Sequence, residues 1–305
     1  MRLRFLPAVL APLLLSVTAF SEDAASGCGG DDPKAIIARA AANDEVNDKR
    51  VHDYTYTERE EQHKLGPHGE VKSSESTTSE TMVLYGESVT RLVARNDKPL
   101  SEKEAAKEEE RIQKLMKKRE KESDSDREKR LAEEEKEREK GRKFVSEITD
   151  AFNFEMLPQE EMSSRAAYVI DAQPRAGFKP QSSEGKYLPK FKFRVWVDRA
   201  ECQWVMLDAT VLDTISWGWF VARLNRGSHL LLEQTRVNDE VWLPQRQEFK
   251  LDARVVLLKK FDMDVTTTFS GYHKFRTESR IIPASVAPAG DPPSPVAQPA
   301  NPPPQ

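Results

Sequence analysis

The chain has 305 residues, of which 47 are Lys or Arg and 51 are Asp or Glu, and its formal net charge is −4. Acidic and basic residues are interleaved along it, so we expect no large basic surface for anionic lipid and exclude nucleic acid as a partner. All five tryptophans fall between Trp196 and Trp242, which places a real hydrophobic core in that part of the chain.

The beginning of the chain has the pattern of a secretory signal peptide. Arg2 and Arg4 precede an apolar stretch, Phe5–Phe20, that is shorter than the roughly 18 residues of a membrane-spanning helix. Cleavage would remove residues 1–19 and leave a flexible N-terminal segment over residues 20–31. The sequence therefore predicts export to the periplasm, where there is no pool of ATP or NAD(P)H.

Cys28 and Cys202 are the two cysteines of the chain, and the sequence leaves three fates open for them. They can pair as a disulfide in an oxidising compartment, or remain two separate thiols. Alternatively, Ala25-Ser26-Gly27-Cys28 is a lipoprotein processing site, so that Cys28 is lipidated and anchors the protein to a membrane. Against lipidation, Ser21-Glu22-Asp23 separates this site from the apolar core of the leader.

The first predicted elements are a helix and the start of a sheet. Asp32 can cap a helix in which Pro33 takes the first position, and apolar residues at helical spacing continue it to about Asn47. From Tyr54 onward aromatic residues alternate with threonines, which is the period-2 pattern of a strand. Two further strand-like segments follow, separated by turn residues, so the sequence predicts a meander here.

A charged segment over residues 101–143 interrupts the predicted sheet. Roughly three-quarters of its residues are charged, and a capping box of Ser101 and Glu104 predicts that a helix begins there. Its few apolar residues form no sustained heptad, and Ser123-Asp124-Ser125-Asp126 predicts a bend or a two-helix hairpin. We interpret this charged helical insertion as a solvated spacer, with a docking arm for a partner protein as the alternative.

The second half of the chain returns to strands. They recur at intervals of roughly 8–12 residues, with short polar turns and no βαβ rhythm, which predicts an α+β fold built on an antiparallel sheet. Residues 283–305 are dominated by Pro, Ala and Ser and cannot bury a core, so a disordered tail is expected. The globular domain is therefore predicted over residues 32–282.

Patterns that carry chemistry are missing from the sequence. There is no nucleophile elbow, no phosphate-binding glycine loop and no EF-hand pattern. The histidines are scattered, without metal-ligand spacing: His52, His63, His68, His229 and His273. We therefore predict no metal, no cofactor and no enzymatic activity.

The aromatic cluster is the best functional lead. On the strand over residues 190–198, Phe193 and Val195 lie on one face and Trp196 on the other, so both faces carry large apolar groups. Either helices cover the second face, or the sheet curls around a cavity. The candidate ligand-lining residues are Phe193, Val195, Trp196, Trp204, Met206, Trp217, Trp219 and Phe220.

Strand and turn signatures also occur in a characteristic order along the chain. They are Tyr54–Glu60, Arg91–Val93, Lys98–Ser101, Arg165–Ile170, Gln173–Arg175, Val195–Asp198, Gln203–Val205, Gly227–Ser228, Val241–Pro244 and Tyr272–Phe275. This order resembles the outer membrane lipoprotein-sorting superfamily of diderm bacteria, of the LolA, LolB and RseB type. The resemblance covers roughly Asp32 to Ser279.

The resemblance implies a specific architecture. Proteins of this superfamily have a strongly curved antiparallel sheet that forms an unclosed half-barrel, with helices at the concave side and an apolar cavity for acyl chains. Two features depart from the family: Ser164-Arg165 stands where relatives often have Gly-Arg, and the insertion over residues 101–143 has no counterpart in the dedicated carrier. The nearest kinship is therefore with uncharacterised relatives, and the identity of the cargo does not transfer.

These observations together lead to a functional hypothesis. We expect non-catalytic binding of lipid, or of the acyl chains of lipoproteins, in an apolar cavity in the periplasm. Each buried methylene contributes about 0.8 kcal/mol, so part of one acyl chain can bind without a charged anchor. The alternative is an envelope interaction or sensor protein that uses the sheet as a scaffold and contacts another envelope protein through the charged helix.

Overall fold

The computed structural model describes four stretches of the chain, residues 28–85, 87–217, 222–255 and 259–274. The predicted signal peptide over residues 1–19, most of the segment 20–31 and the tail over residues 283–305 lie outside the described residues. Within those described stretches, no helix is both long enough and apolar enough to cross a membrane.

Strands dominate the described residues. They are β1 (Tyr54–Leu65), β2 (Val71–Leu84), β3 (Glu87–Arg95), β4 (Lys98–Pro99), β5 (Phe152–Met162), β6 (Arg165–Pro174), β7 (Phe191–Asp198), β8 (Trp204–Val211), β9 (Ile215–Trp217), β10 (Ala222–Leu224), β11 (His229–Val237), β12 (Val241–Val255) and β13 (Lys259–Lys274).

The strands form one antiparallel sheet that does not close. Its order is β4-β3-β2-β1-β13-β12-β11-β8-β7-β6-β5, and β9 pairs with β10, which pairs with the end of β12. The two terminal strands of this order, β4 and β5, are not paired with each other. The predicted α+β class with an unclosed antiparallel sheet is therefore confirmed.

Within the part of the chain that the structure describes, three α-helices and a short 3₁₀ helix accompany the sheet. They are α1 (Pro33–Val51), α2 (Glu102–Glu120), α3 (Asp124–Ala151) and the 3₁₀ helix Gly185–Lys190. The start of α1 is as predicted, because the Asp32 side chain accepts a hydrogen bond from the Lys34 amide at 3.1 Å and Pro33 is the first helical residue.

The charged insertion forms the two helices that its break predicted. Its capping box is present: the Ser101 hydroxyl accepts from the Glu104 amide at 3.4 Å, and the Glu104 carboxylate accepts from the Ser101 amide at 3.1 Å. Ser123 caps α3 in the same way, with its hydroxyl accepting from the Asp126 amide at 3.1 Å. Ser, Asp and Thr favour such caps over helix interiors, which explains why the helix ends here and a new one begins.

The first helix of the insertion packs on the sheet and is not a solvated spacer. Ile112 is 5% exposed and lies in a cluster with Leu84 and Val89. Along the same helix, Glu108 accepts a hydrogen bond from the Leu92 amide at 2.9 Å, which satisfies a backbone group at the open side of β3. The spacer interpretation is therefore wrong for α2, whereas most of α3 up to residue 141 is exposed as expected.

The two cysteines form a disulfide, which decides among the three fates. Cys28 and Cys202 are joined across a sequence separation of 174 residues, and both are buried. The alternative in which Cys28 is lipidated is therefore wrong, because a sulfur bonded to Cys202 cannot also carry a lipid thioether. The bond ties the segment before α1 to the turn between β7 and β8.

Candidate functional site

Cross-strand pairs define which side chains share a face of the sheet, because directly opposed residues point to the same side. One row across β7, β8, β11, β12 and β13 is apolar throughout, and it consists of Phe193, Ala209, Leu230, Phe249 and Val265. The next row on this face begins with Val195, Leu207 and Leu232.

The middle of this face forms an apolar surface, which we call the apolar floor. It consists of six half-buried residues on β11, β12 and β13: Leu230, Leu232, Phe249, Leu251, Met263 and Val265. The row that contains Phe249 and Val265 ends on β1 at Gln62, and the row that contains Leu232 ends on β1 at Glu60. Polar residues of β1 therefore border the floor.

Helix α1 covers one end of the same face. Ile36, Ile37 and Ala40 pack in one cluster with Val195 and Val197 of β7. Because Val195 is paired with Leu207, and Leu207 with Leu232, α1 and the apolar floor lie on one side of the sheet. We call this side the helix face.

The second half of α1 is held by polar contacts. The Asn47 side chain exchanges two hydrogen bonds with the Trp242 backbone, at 2.7 and 2.8 Å. The Asp44 carboxylate accepts from Trp204 Nε1 and from Gln203 Nε2, both at 2.8 Å. Burial raises the pKa of Asp44, and the two donated hydrogen bonds oppose that rise. A helix held in this way depends on a few specific groups as well as on apolar area.

The opposite face of the same strands is polar in the row next to the apolar floor and apolar farther along, where Val169, Trp196 and Val205 belong to a second buried cluster. One of its rows runs through Lys192, Thr210, His229, Lys250, Asp264 and His63. Two polar pairs on this face are close: Arg194 Nε lies 2.7 Å from an Asp171 carboxylate oxygen, and His229 Nε2 is within hydrogen-bond distance of Asp208, at 2.8 Å. Beside the apolar floor, alternation thus places apolar groups on the helix face and mostly polar groups on the other, whereas β6, β7 and β8 carry buried apolar residues on both faces.

A cleft of about 430 Å³ lies where β8 and β11 separate. Their pairing ends at Met206 and Glu233, although β8 begins at Trp204 and β11 continues to Val237. The residues that line the cleft are Met162, Ser163, Arg165, Ala167, Asp198, Val205, Glu233, Gln234, Thr235, Arg236, Trp242 and Gln245.

An ion-pair network includes three residues that line this cleft, Arg165, Asp198 and Arg236. Arg165 contacts the buried Asp198 carboxylate with two nitrogens, at 2.6 and 2.9 Å, and Glu201 with one, at 2.8 Å. Glu201 also accepts from Trp242 Nε1 at 2.9 Å and lies 2.6 Å from Arg236 Nε. Each guanidinium therefore has a carboxylate partner, and the network fixes the walls of the cleft.

The structure divides the predicted ligand-lining residues between the two faces. Phe193, Val195 and Trp204 lie on the helix face, within or against the cluster under α1. Trp196 and Met206 lie on the opposite face, where Trp196 is 6% exposed and donates from Nε1 to Glu160 at 2.9 Å. The set is therefore not one surface.

The remaining predicted lining residues are only partly covered by the structure. Trp217 is described by its backbone alone, paired with Ala222, and Trp219 and Phe220 lie outside the described residues.

Sequence reasoning missed both the apolar floor and the cleft. A signal for the floor was present, because β11, β12 and β13 each carry two apolar residues spaced by two on one face. The cleft depends on where two strands stop pairing, which no local pattern indicates. Among the residues that the structure describes, no three His, Cys, Asp or Glu side chains are grouped to hold a metal ion.

No family model matches the sequence, and no curated protein matches it. Solved structures do match. A DUF1329 family protein from Desulfovibrio piger is similar at 11% identity and a TM-score of 0.31, covering 82% of this chain and 96% of that one. A LolA superfamily protein from Nitrosomonas europaea is similar at 9% identity and a TM-score of 0.30, with the same coverage of 82% and 96%.

A third similar structure is a putative outer membrane lipoprotein-sorting protein domain from Vibrio parahaemolyticus. It has 8% identity and a TM-score of 0.27, and the match covers 80% of this chain and 95% of that one. The names of the second and third structures agree with the superfamily that the sequence resembles. These low TM-scores give no information about the site, which is therefore described from this chain's own residues.

Proposed function

We propose that this protein is a non-catalytic, exported binding protein that holds lipid, or the acyl chains of lipoproteins, on the apolar floor. The observation that carries the proposal is the contrast between the two faces. Leu230, Phe249 and Val265 form a continuous apolar row, while the row next to it on the other face carries His229, Lys250 and other polar groups.

The energetics of the floor fit an acyl chain. Its six residues are half-buried and all apolar, so a hydrocarbon chain laid on them would remove apolar surface from water on both partners. At about 0.8 kcal/mol for each buried methylene, a few methylenes supply useful affinity without an ion pair. The cluster under α1 continues the apolar surface through Leu207, so a chain on the floor would reach the edge of the helix.

Binding of this kind needs no chemical step and no cofactor. The charged groups beside the floor lie on β1, where Lys64 is opposite Met263 and its Nζ lies 3.8 Å from the Glu75 carboxylate. Such an exposed pair at the border of the floor contributes little, so burial of apolar surface is the main expected source of affinity.

The test is to identify what the protein carries. Protein purified from its native envelope would be extracted with organic solvent and examined by mass spectrometry. We expect acyl lipid close to one equivalent, a strong loss in Phe249→Asp on the floor, and no loss in Lys250→Asp, whose side chain is exposed on the opposite face. Lipid-free wild-type protein would contradict the proposal.

A second candidate is an envelope interaction or sensor protein that contacts another envelope protein through the charged helix. The exposed part of α3 favours it, because its charges are paired along the helix, as in Arg138 with Glu135 at 3.0 Å and Lys143 with Glu139 at 2.9 Å. Leu131 lies among them and is 45% exposed. A photo-crosslinker at Leu131 that captures one defined envelope protein, in a preparation without lipid, would favour this candidate over the carrier.

A further inference from the structure

The cleft between β8 and β11 leaves part of a strand without a neighbour. The β8 ladder ends at Glu233, so within the described residues the β11 backbone from Gln234 to Val237 has no strand partner on that side. Backbone N–H and C=O groups in such a position accept an extended peptide, which supplies the missing hydrogen bonds.

The side chains of the cleft favour a ligand that brings hydrogen-bond donors and no negative charge, because Glu233 lines the cleft beside Asp198. Both arginines that line it are already paired with carboxylates. Gln234 Oε1 is buried and has no hydrogen-bond partner within the described part of the chain. A buried acceptor without a partner is costly, so a ligand N–H would stabilise it once the Gln234 side chain, which also hydrogen-bonds Asp44, turns toward the ligand.

Part of the cleft lining is apolar and already fixed in place. Ala167 and Val205 belong to the same buried cluster as Trp242, and Met162 packs against that cluster. The indole of Trp242 is held from two sides, since its Nε1 donates to Glu201 at 2.9 Å and the Arg165 guanidinium lies 5.5 Å from its ring centre. A strand residue pointing at this part of the lining would contact it without rearrangement.

We propose that this cleft binds a short, extended and uncharged peptide segment, which pairs with the β11 backbone at Gln234–Arg236 and places an apolar side chain against Val205 and Trp242. The site lies apart from the apolar floor and does not depend on lipid binding. It gives the protein a second ligand class, a polypeptide in extended conformation.

The test uses the full mature chain and pools of blocked pentapeptides. One pool contains only uncharged residues, and a second contains Asp and Glu at alternate positions. The readout is the change in backbone amide resonances of β11 on addition of each pool up to about 1 mM peptide, the weak end of useful affinity. We expect the uncharged pool to shift the resonances of Gln234–Arg236 and the acidic pool to shift them at least tenfold less strongly.

Two variants and a control make the result decisive. Gln245→Trp fills the cleft from an exposed position and should abolish the shifts, and Gln234→Met removes the unpartnered acceptor and should weaken binding about tenfold. Lys250→Trp lies on the same strand as Gln245, away from the cleft, and should bind as wild type does. No shift from any pool, or equal shifts in Gln245→Trp and Lys250→Trp, would overturn the proposal.

Discussion

The two faces of the central strands differ, although alternate residues of the same strands form them. Leu230 and Leu231 are neighbours and both half-buried, yet Leu230 lies between Ala209 and Phe249, and Leu231 lies between Asp208 and Glu248. The helix face extends as an apolar surface to the residues that α1 covers. The other face carries polar pairs beside the floor, such as Arg194 with Asp171. The floor joins six half-buried apolar side chains into one surface, whereas Leu231 has polar neighbours on both sides, and for that reason we propose the floor as the ligand site.

The largest expected effect concerns the bond that holds α1 on the helix face. Replacing Cys28 and Cys202 by Ala removes a cross-link between residues 174 apart. We expect the free energy of unfolding to fall by about 2–5 kcal/mol, because the unfolded chain gains loop entropy. Urea unfolding of oxidised wild type and the double variant measures this. A loss under about 1 kcal/mol would mean that the disulfide constrains neither state strongly.

A core substitution should separate the two faces on a single strand. Ile170 is fully buried in the cluster under α1, whereas its neighbour Asp171 points to the other face and pairs with Arg194. Ile170→Ala should cost about 2–5 kcal/mol of unfolding free energy. Asp171→Asn should cost no more than about 1 kcal/mol, since partly exposed ion pairs contribute little. Equal losses, measured by denaturant titration, would show that packing of Ile170 under α1 contributes no more than the ion pair of Asp171 does.

The insertion can be tested in the same matched way. Ile112 on α2 is 5% exposed, and Leu131 on α3 is 45% exposed. We expect Ile112→Ala to lower the unfolding free energy by about 2 kcal/mol, at the lower end for buried Ile to Ala, and Leu131→Ala to change it by less than about 0.5 kcal/mol. Thermal unfolding of both variants gives the comparison. If Ile112→Ala were neutral, α2 would not contribute to the cover of the sheet.

A smaller effect is expected from Asp44, the carboxylate between α1 and the sheet. Burial raises its pKa in the folded protein above the usual 3.8, so the folded state binds this proton more tightly than the unfolded state does. Its contribution to stability is therefore greatest below about pH 3.8 and is lost as pH rises through the raised folded pKa.

The variant Asp44→Asn isolates that contribution, because its Oδ1 still accepts from Trp204 and Gln203. Its unfolding free energy relative to wild type should rise as pH increases from about 3 to about 7. Urea titrations at several pH values provide the measurement. A difference that is independent of pH would contradict a raised pKa at this position.

The sequence predicted elements well wherever local chemistry decides them. The cap at Asp32, the capping box at Ser101 and Glu104, and the break before Asp124 were all recognisable, because each satisfies backbone groups within a few residues. Sheet class also followed from the spacing of strands and polar turns.

Long-range features were beyond sequence reasoning. The disulfide joins positions that only the fold brings together, and the sequence left it as one of three alternatives. The aromatic residues were correctly placed on both faces, but which face a helix covers depends on packing by Ile36 and its neighbours. The cleft arises where a ladder ends at Glu233, a property of register that no single segment encodes.

The most direct test of the central claim compares Leu230→Asp with Leu231→Asp. Both replace a half-buried leucine on β11 by a carboxylate, one on the apolar floor and one on the opposite face. Binding of a dansyl-labelled fatty acid would be followed by fluorescence, with the unfolding midpoint of each variant as the control for folding. We predict that Leu230→Asp weakens binding at least tenfold, about 1.4 kcal/mol, and that Leu231→Asp leaves it within about twofold of wild type. Equal affinities for the two folded variants, or no fatty-acid binding by the wild type, would contradict the assignment of the floor as a lipid site.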